Sequence, residues 1–262
     1  MATLQLGDVQ IGYAVEGDGA PLLVVHGTTM NRTGWDLVRA EMPAEYSFVM
    51  IELPGSGESS MPLGPLEVDD LVDQSLALMD HLGYPRFHVA GYSLGAVAAL
   101  ALAARAGHRV LSCTSLCGWA TTDARMRFTF GLWRRLIAAD PALFMRYALA
   151  DGFTAAAITG LEPMLETLID MSAPALAPGS DAHLDLDERI DIAALLASIV
   201  SPTLVIGGAE DRWVDVSHSR SLAAAIAGAQ LEVLPGGHLV IQEDAASIAA
   251  LLHAHASSST ST

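Results

Sequence analysis

Three residues stand out for the chemistry that their types could support together: Ser93, Asp211 and His238. A serine hydroxyl is a poor nucleophile near neutral pH until a base takes its proton. The base is usually a histidine, and a carboxylate then fixes its tautomer and stabilises the imidazolium. Ser93 sits in Gly91-Tyr92-Ser93-Leu94-Gly95, a G-x-S-x-G pentapeptide, which alone is weak evidence in a chain with 23 glycines. Its context gives it meaning. Phe87 to Ala90 reads as a short apolar strand, and Leu94 to Ala106 as an Ala/Leu-rich helix. So sharp a turn from strand to helix leaves little room for side chains, and Gly91 and Gly95 supply that room. The turn would lift the Ser93 hydroxyl above a sheet edge, with the helix N-terminus directed at whatever it attacks.

His238 is set apart from the other histidines, of which the chain has nine in all. It follows a strand, sits in the Gly236-Gly237 turn and precedes a helix. His81 and His108 read as surface positions, His183 and His218 as solvated, and His88 as a satisfied core histidine. His253 and His255 are two apart on one helix, so they cannot share a face for a metal. Asp211, in the loop after the strand that begins at Thr203, is the best orienting acid. Asp215 reads instead as a cap for the helix at Ser217, and Glu210 as solvated.

The elements that must position these groups follow from pattern. Thr3 to Leu6 and Gln10 to Val15 form a hairpin signal around Gly7-Asp8. Leu22 to Val25 is an unbroken apolar run, as expected of a strand covered on both faces, and it ends in His26-Gly27-Thr28. Gly27 there is well placed to offer a backbone N–H to a site. Ser47 to Ile51 is a strand followed by Glu52-Leu53-Pro54-Gly55-Ser56-Gly57-Glu58-Ser59. Val68 to Leu82 has helical spacing, with Val68, Leu71, Val72, Leu76, Met79 and Leu82 as its apolar positions. Val110 to Leu116 is another strand. From Trp119 to about Arg189 the strand–helix alternation stops. Phe128, Leu132, Trp133, Leu136 and Ile137 fit one helix there, and 141–149, 154–159 and 163–171 fit three more, before a loop over 172–180. A helix over 192–199, a strand from Thr203, a helix over 217–227, a strand over 231–234 and a final helix over 240–255 complete the pattern. Repeated β–α alternation implies an α/β fold with a mostly parallel sheet flanked by helices. Ligands bind such sheets off the carboxyl ends of the strands, where His26, Ser93, Asp211 and His238 all fall.

Bulk properties narrow the classes. A chain of 262 residues with 52% hydrophobic and 16% charged residues supports one substantial core rather than disorder. The formal charge is −17, and every one of the 13 basic residues is arginine. That balance argues against nucleic acid or an anionic membrane as partner, and a small-molecule substrate is the partner expected. Cys113 and Cys117 are four apart in a strand, roughly 13 Å between Cα atoms, beyond disulfide reach. They are expected to be free thiols in a reducing compartment. The first residues lack a basic segment followed by an apolar core, and no apolar stretch is long enough to span a bilayer, so a cytoplasmic location is expected. No phosphate-binding loop, dinucleotide fingerprint or H-E-x-x-H is found, so neither a cofactor nor a metal is expected. Residues 257–262 are expected to be a disordered tail.

Together, the strand ending in His26-Gly27, the strand ending in Glu52-Leu-Pro-Gly-Ser-Gly, the Ser93 pentapeptide, Gly208-Ala-Glu-Asp211 and Gly237-His238 resemble the α/β-hydrolase fold. The order serine, acid, histidine is that superfamily's order. The resemblance runs over about residues 3 to 255 and implies a core at 1–118 and 191–256 with a helical cap at 119–190. It implies Ser93 as nucleophile, His238 as base and Asp211 as orienter, with an oxyanion hole from the N–H groups of Thr28 and Leu94. One departure is Glu52, where the family usually has Asp. Hydrolysis of an ester, thioester or lactone of a small to medium apolar substrate is the first expectation. Lactonase, esterase and non-metal haloperoxidase-like members have similarly short loops and a compact cap. Substrate contacts are expected from His26, Tyr92, Trp119, Phe128, Trp133 and Trp213. The same residues could serve carbon–carbon bond hydrolysis, or cyclisation or acyl transfer in a tailoring enzyme. A ligand-binding receptor with a hydrolase-like pocket is the reading from another class. Epoxide hydrolases and haloalkane dehalogenases are disfavoured, because they need a carboxylate where Ser93 stands.

Overall fold

The computed structural model describes residues 2–259. Its strands are β1 (Ala2–Leu6), β2 (Val9–Glu16), β3 (Ala20–Val25), β4 (Tyr46–Ile51), β5 (Phe87–Tyr92), β6 (Val110–Leu116), β7 (Thr203–Gly208) and β8 (Gln230–Leu234). They make one sheet in the order β1-β2-β4-β3-β5-β6-β7-β8. Only β1–β2 and β2–β4 pair antiparallel; every other pair is parallel. Alternate residues of the central strands enter two separate cores. Leu22, Val24, Phe48, Met50 and Ala90 face one side, under α1 (Asp36–Glu41), α10 (Val240–Glu243) and α11 (Ala245–Ser259). Leu23, Val25, Val49, Ile51 and Val89 face the other, under α2 (Val68–His81), α3 (Leu94–Arg105) and α9 (Val216–Ala225). That two-sided burial explains why β3 and β4 read as unbroken apolar runs. In α3, every residue from Leu94 to Ala103 is buried, and its alanines let it lie close to β5 and β6.

Between β6 and β7 the chain forms α4 (Ala124–Ala139), α5 (Pro141–Gly152), α6 (Ala155–Leu161), α7 (Leu165–Ser172) and α8 (Ser180–Arg189). A short stem closes this segment. The Thr122 N–H donates to the Ile190 carbonyl, the Ile192 N–H donates to the Ala120 carbonyl, and Thr121 bridges Asp191. Aspartates and a threonine start the helices: Asp123, Asp140 and Thr154 each accept from a first-turn N–H.

Several expectations need correction. On α4, the buried stripe is Met126, Phe130 and Trp133, while Phe128 is 81% exposed. Apolar residues at both 126/130/133/137 and 128/132/136 allow two helical phases, and only the contact with α5 and α8 selects between them. α8 falls where no separate helix is expected, because its face is polar; it buries His183, expected to be solvated, and with it Asp187. Residues 193–198 form a 3₁₀ helix. Asp244 divides the last helix in two. The expected disordered tail is helical through Ser259, with the Ser258 and Ser259 hydroxyls donating to the His255 carbonyl. Residues 260–262 lie outside the described residues.

Candidate active site

Ser93 joins β5 to α3 with φ 55° and ψ −120°, a left-handed conformation rare for a residue with a side chain. Its neighbours leave no alternative. A Cβ on Gly91 would lie 1.9 Å from the Gly95 carbonyl oxygen, and one on Gly95 would lie 2.2 Å from the Val25 oxygen. The Ser93 N–H donates to the Leu116 carbonyl at 2.9 Å, tying the elbow to the neighbouring strand. The turn after β3 closes over this point, since a Cβ on Gly27 would sit 3.1 Å from the Ser93 Cβ.

Loops after β7 and β8 complete a hydrogen-bonded row. His238 Nε2 is 3.0 Å from Ser93 Oγ, and His238 Nδ1 is 2.7 Å from Asp211 Oδ2. The other Asp211 oxygen accepts from the N–H groups of Trp213 and Val214, at 2.9 and 2.8 Å. All three members are buried. An ionised Asp211 would favour the tautomer with hydrogen on Nδ1, which leaves Nε2 free to accept the Ser93 proton. The Tyr92 hydroxyl donates to the His238 carbonyl at 3.0 Å, and the Trp213 ring lies 4.8 Å from the imidazole. Glu243 fixes the turn from below, accepting from the Gly237 N–H and from the Thr154 hydroxyl.

Behind the acid, Cys117, Asp211 and His238 bring one donor atom each within 4.8 Å of one another. Asp211 and His238 are engaged with each other. Burial, and then the Asp211 carboxylate, pushes the Cys117 thiol well above its usual range, so it stays a neutral donor beside the acid.

The N–H groups of Thr28 and Leu94 have no backbone acceptor among the described residues, and Thr28 lines the same cavity as Ser93. That cavity, about 120 Å³, is walled by Trp133, Phe144, Met145, Ala148, Leu149, Leu168, Trp213 and Leu239. Thr29, Ser172 and Gln242 add neutral polar groups, and apart from His238 no titratable acid or base other than Tyr92 lines it. Of the expected substrate contacts, the structure brings Tyr92, Trp133 and Trp213 to the cavity. His26 is not there: it is fully buried, its Nε2 accepting from the Leu53 N–H at 3.0 Å and its Nδ1 2.9 Å from the Gly27 carbonyl. Trp119 is buried beside Phe130 and donates to Thr122, and Phe128 faces outward. Glu52 shapes the neighbouring loop: it accepts from the Arg32 N–H at 3.0 Å and lies 3.3 Å from the Arg32 guanidinium.

A family model described as the alpha/beta hydrolase fold matches residues 20–245. The chain belongs to the α/β-hydrolase family. It is 31% identical over 243 residues to pyrrolizixenacetamide deacetylase of Xenorhabdus hominickii, covering 91% of each chain. It is 28% identical over 245 residues to 3-oxoadipate enol-lactonase 2 of Acinetobacter baylyi, covering 90% of this chain and 89% of that one. Among solved structures, the enol-lactonase from Burkholderia xenovorans shares the α/β-hydrolase fold with a TM-score of 0.86 at 21% identity, covering 97% of this chain and 99% of that chain. A hydrolase from Pseudomonas aeruginosa gives 0.85 at 27% identity, covering 97% of both chains. The protein is an enzyme of this hydrolase family. No helix among the described residues is long and apolar enough to cross a membrane.

Proposed function

We propose that this protein is a serine hydrolase that cleaves an ester, thioester or lactone with a neutral, apolar acyl group through an acyl-enzyme, under a cap formed by residues 119–190. The observation that carries it is the hydrogen-bonded row Asp211–His238–Ser93, at 2.7 and 3.0 Å, opening into an apolar cavity. His238 takes the Ser93 proton as Oγ attacks the carbonyl carbon. The Thr28 and Leu94 N–H groups receive the tetrahedral oxygen, and Leu94 adds the positive end of α3. Collapse expels the alcohol or thiol with the proton from His238, and water then repeats the sequence on the acyl-enzyme.

The cavity lining selects for a neutral acyl group. It holds no arginine to receive a carboxylate, and a chain of charge −17 repels anions before they arrive. The names of relatives, a deacetylase and an enol-lactonase, support small acyl groups and lactones as first substrates. The test is a panel of p-nitrophenyl esters, aryl thioesters, lactones and acetamides, with Ser93→Ala as control. Turnover with a chain-length preference, abolished in the variant, is expected. Equal rates for the two proteins across the whole panel refute the proposal.

A further inference from the structure

Asp187 has no role in the chemistry above, yet it is fully buried and has no ion-pair partner among the described residues. Its Oδ2 accepts the Thr28 hydroxyl at 2.6 Å, across 159 residues of sequence. Its backbone is fixed in turn, because the Thr122 hydroxyl donates to the Asp187 carbonyl while accepting from the Trp119 indole at 2.8 Å. The cap helix α8 thus reaches, through one side chain, the residue whose N–H faces the reacting carbonyl.

A buried carboxylate needs several donors to stay ionised, and Asp187 has one, with Oδ1 lacking any hydrogen-bond partner. Burial pushes its pKa up to about 8; the Thr28 hydroxyl lowers it and the neighbouring Glu188 charge raises it. Other titratable or charged groups on the elements packed around it include His183 and Glu188 on α8, Arg134 on α4, which lies 3.7 Å from Glu188, and His26 after β3. Kept neutral, the group can hold Thr28 without placing a negative charge beside an oxygen that becomes negative in the transition state. An ionised Asp187 would oppose that oxygen.

We propose that Asp187 is a positioning residue for acyl transfer: by accepting the Thr28 hydroxyl it fixes the Thr28 backbone N–H in the oxyanion hole and makes that hole depend on the seating of α8. The inference rests on the serine-hydrolase reading, and Ser93→Ala separates the two. If Ser93→Ala leaves hydrolysis of the best panel ester intact, the reading itself fails, and this inference with it. If Ser93→Ala abolishes turnover, the remaining variants judge Asp187 alone.

Asp187→Leu removes the acceptor and Thr28→Val removes the donor, while Asp187→Asn keeps an acceptor that cannot ionise. The expected result is a fall in kcat of ten- to a hundredfold for Asp187→Leu and Thr28→Val with KM within about threefold. The double variant should be no worse than the more impaired single one. Asp187→Asn should restore kcat to within about threefold and should lack the decline in wild-type kcat as pH rises through about 8. A merely structural role would lower Tm and leave the pH profile unchanged. Wild-type kcat in folded Thr28→Val, or an alkaline decline in Asp187→Asn identical to that of the wild type, overturns the proposal. Both measurements stand even if Asp187→Leu does not fold.

Discussion

Replacing Gly95 with alanine would place a methyl carbon 2.2 Å from the Val25 carbonyl oxygen and 2.6 Å from that of His26. Both obstacles are backbone, at the end of the strand that carries the turn over Ser93, so neither can rotate aside. An ordinary contact of about 3.4 Å, in place of the 2.2 Å that the added methyl would have on an unshifted backbone, requires α3 and the end of β3 to separate by about 1.2 Å. Ser93 and Leu94 move with the helix, whereas Thr28 moves with the strand. The two N–H groups proposed to receive one oxygen would then diverge by about an ångström, and such a misplacement can cost about 10² in rate. Overpacking a rigid core adds about 1–3 kcal/mol of destabilisation, which corresponds to a Tm drop of about 4–8 °C for 2 kcal/mol in a chain of this size. The assay is kcat/KM on the best ester of the panel, together with thermal unfolding. Gly131→Ala is the control: it lies within α4, has nothing within 4 Å of the new methyl, and should stabilise by about 0.5–1 kcal/mol without changing rate. Gly95→Ala with kcat/KM within threefold of wild type and an unchanged Tm would refute the reasoning.

Other outcomes follow from the same geometry. Trp133 is buried between Phe144 and Trp213, whose rings lie 5.5 and 4.5 Å away, and it lines the cavity. Trp133→Ala should shift the ester preference to longer acyl chains and cost about 3–5 kcal/mol of stability, read by a chain-length series and denaturant unfolding. Paired esters that differ only by a terminal methyl or carboxylate should differ at least tenfold in kcat/KM in favour of the methyl; a carboxylate ester hydrolysed equally well contradicts the neutral lining. Burial lowers the pKa of His88 and of His183 to about 4 from 6.5. Both folded values lie below the unfolded ones, so this stability is present above about pH 6.5 and is lost as pH falls towards 4. Tm measured from pH 7.5 to 4.5 should decline over that window, and His88→Gln should flatten the decline.

The residues around Ser93 were legible because their constraint is local. Strand, glycine, serine, glycine and helix follow one another within a few positions, and the chain can make that turn in few ways. His238 and Asp211 were legible for a related reason, since each follows a strand whose end the parallel topology puts on one edge. Phe128 and Trp119 were not. A helix with apolar residues on two faces does not announce which face is covered, and a tryptophan near a site reads the same whether it meets substrate or Thr122. His183 and Asp187 look like ordinary polar positions on an acidic helix, and only the approach of α8 to the β3 turn reveals them as buried. Pattern within one element is informative about that element, whereas a hydrogen bond between residues 28 and 187 has no local signal.

The stem at 120–122 and 190–192 gives the molecule a seam. The five helices leave the sheet after β6 and return to its immediate neighbour β7, so their replacement need not disturb the register of any strand pair. Selection, or a protein engineer, can therefore treat the segment as an exchangeable part and alter what the enzyme accepts without rebuilding how it reacts. The exchange carries two obligations. A foreign segment must offer Thr28 an acceptor in place of Asp187, and must offer Glu243 a donor in place of Thr154. A graft that omits either would inherit a sound scaffold and lose a support of its reactive centre.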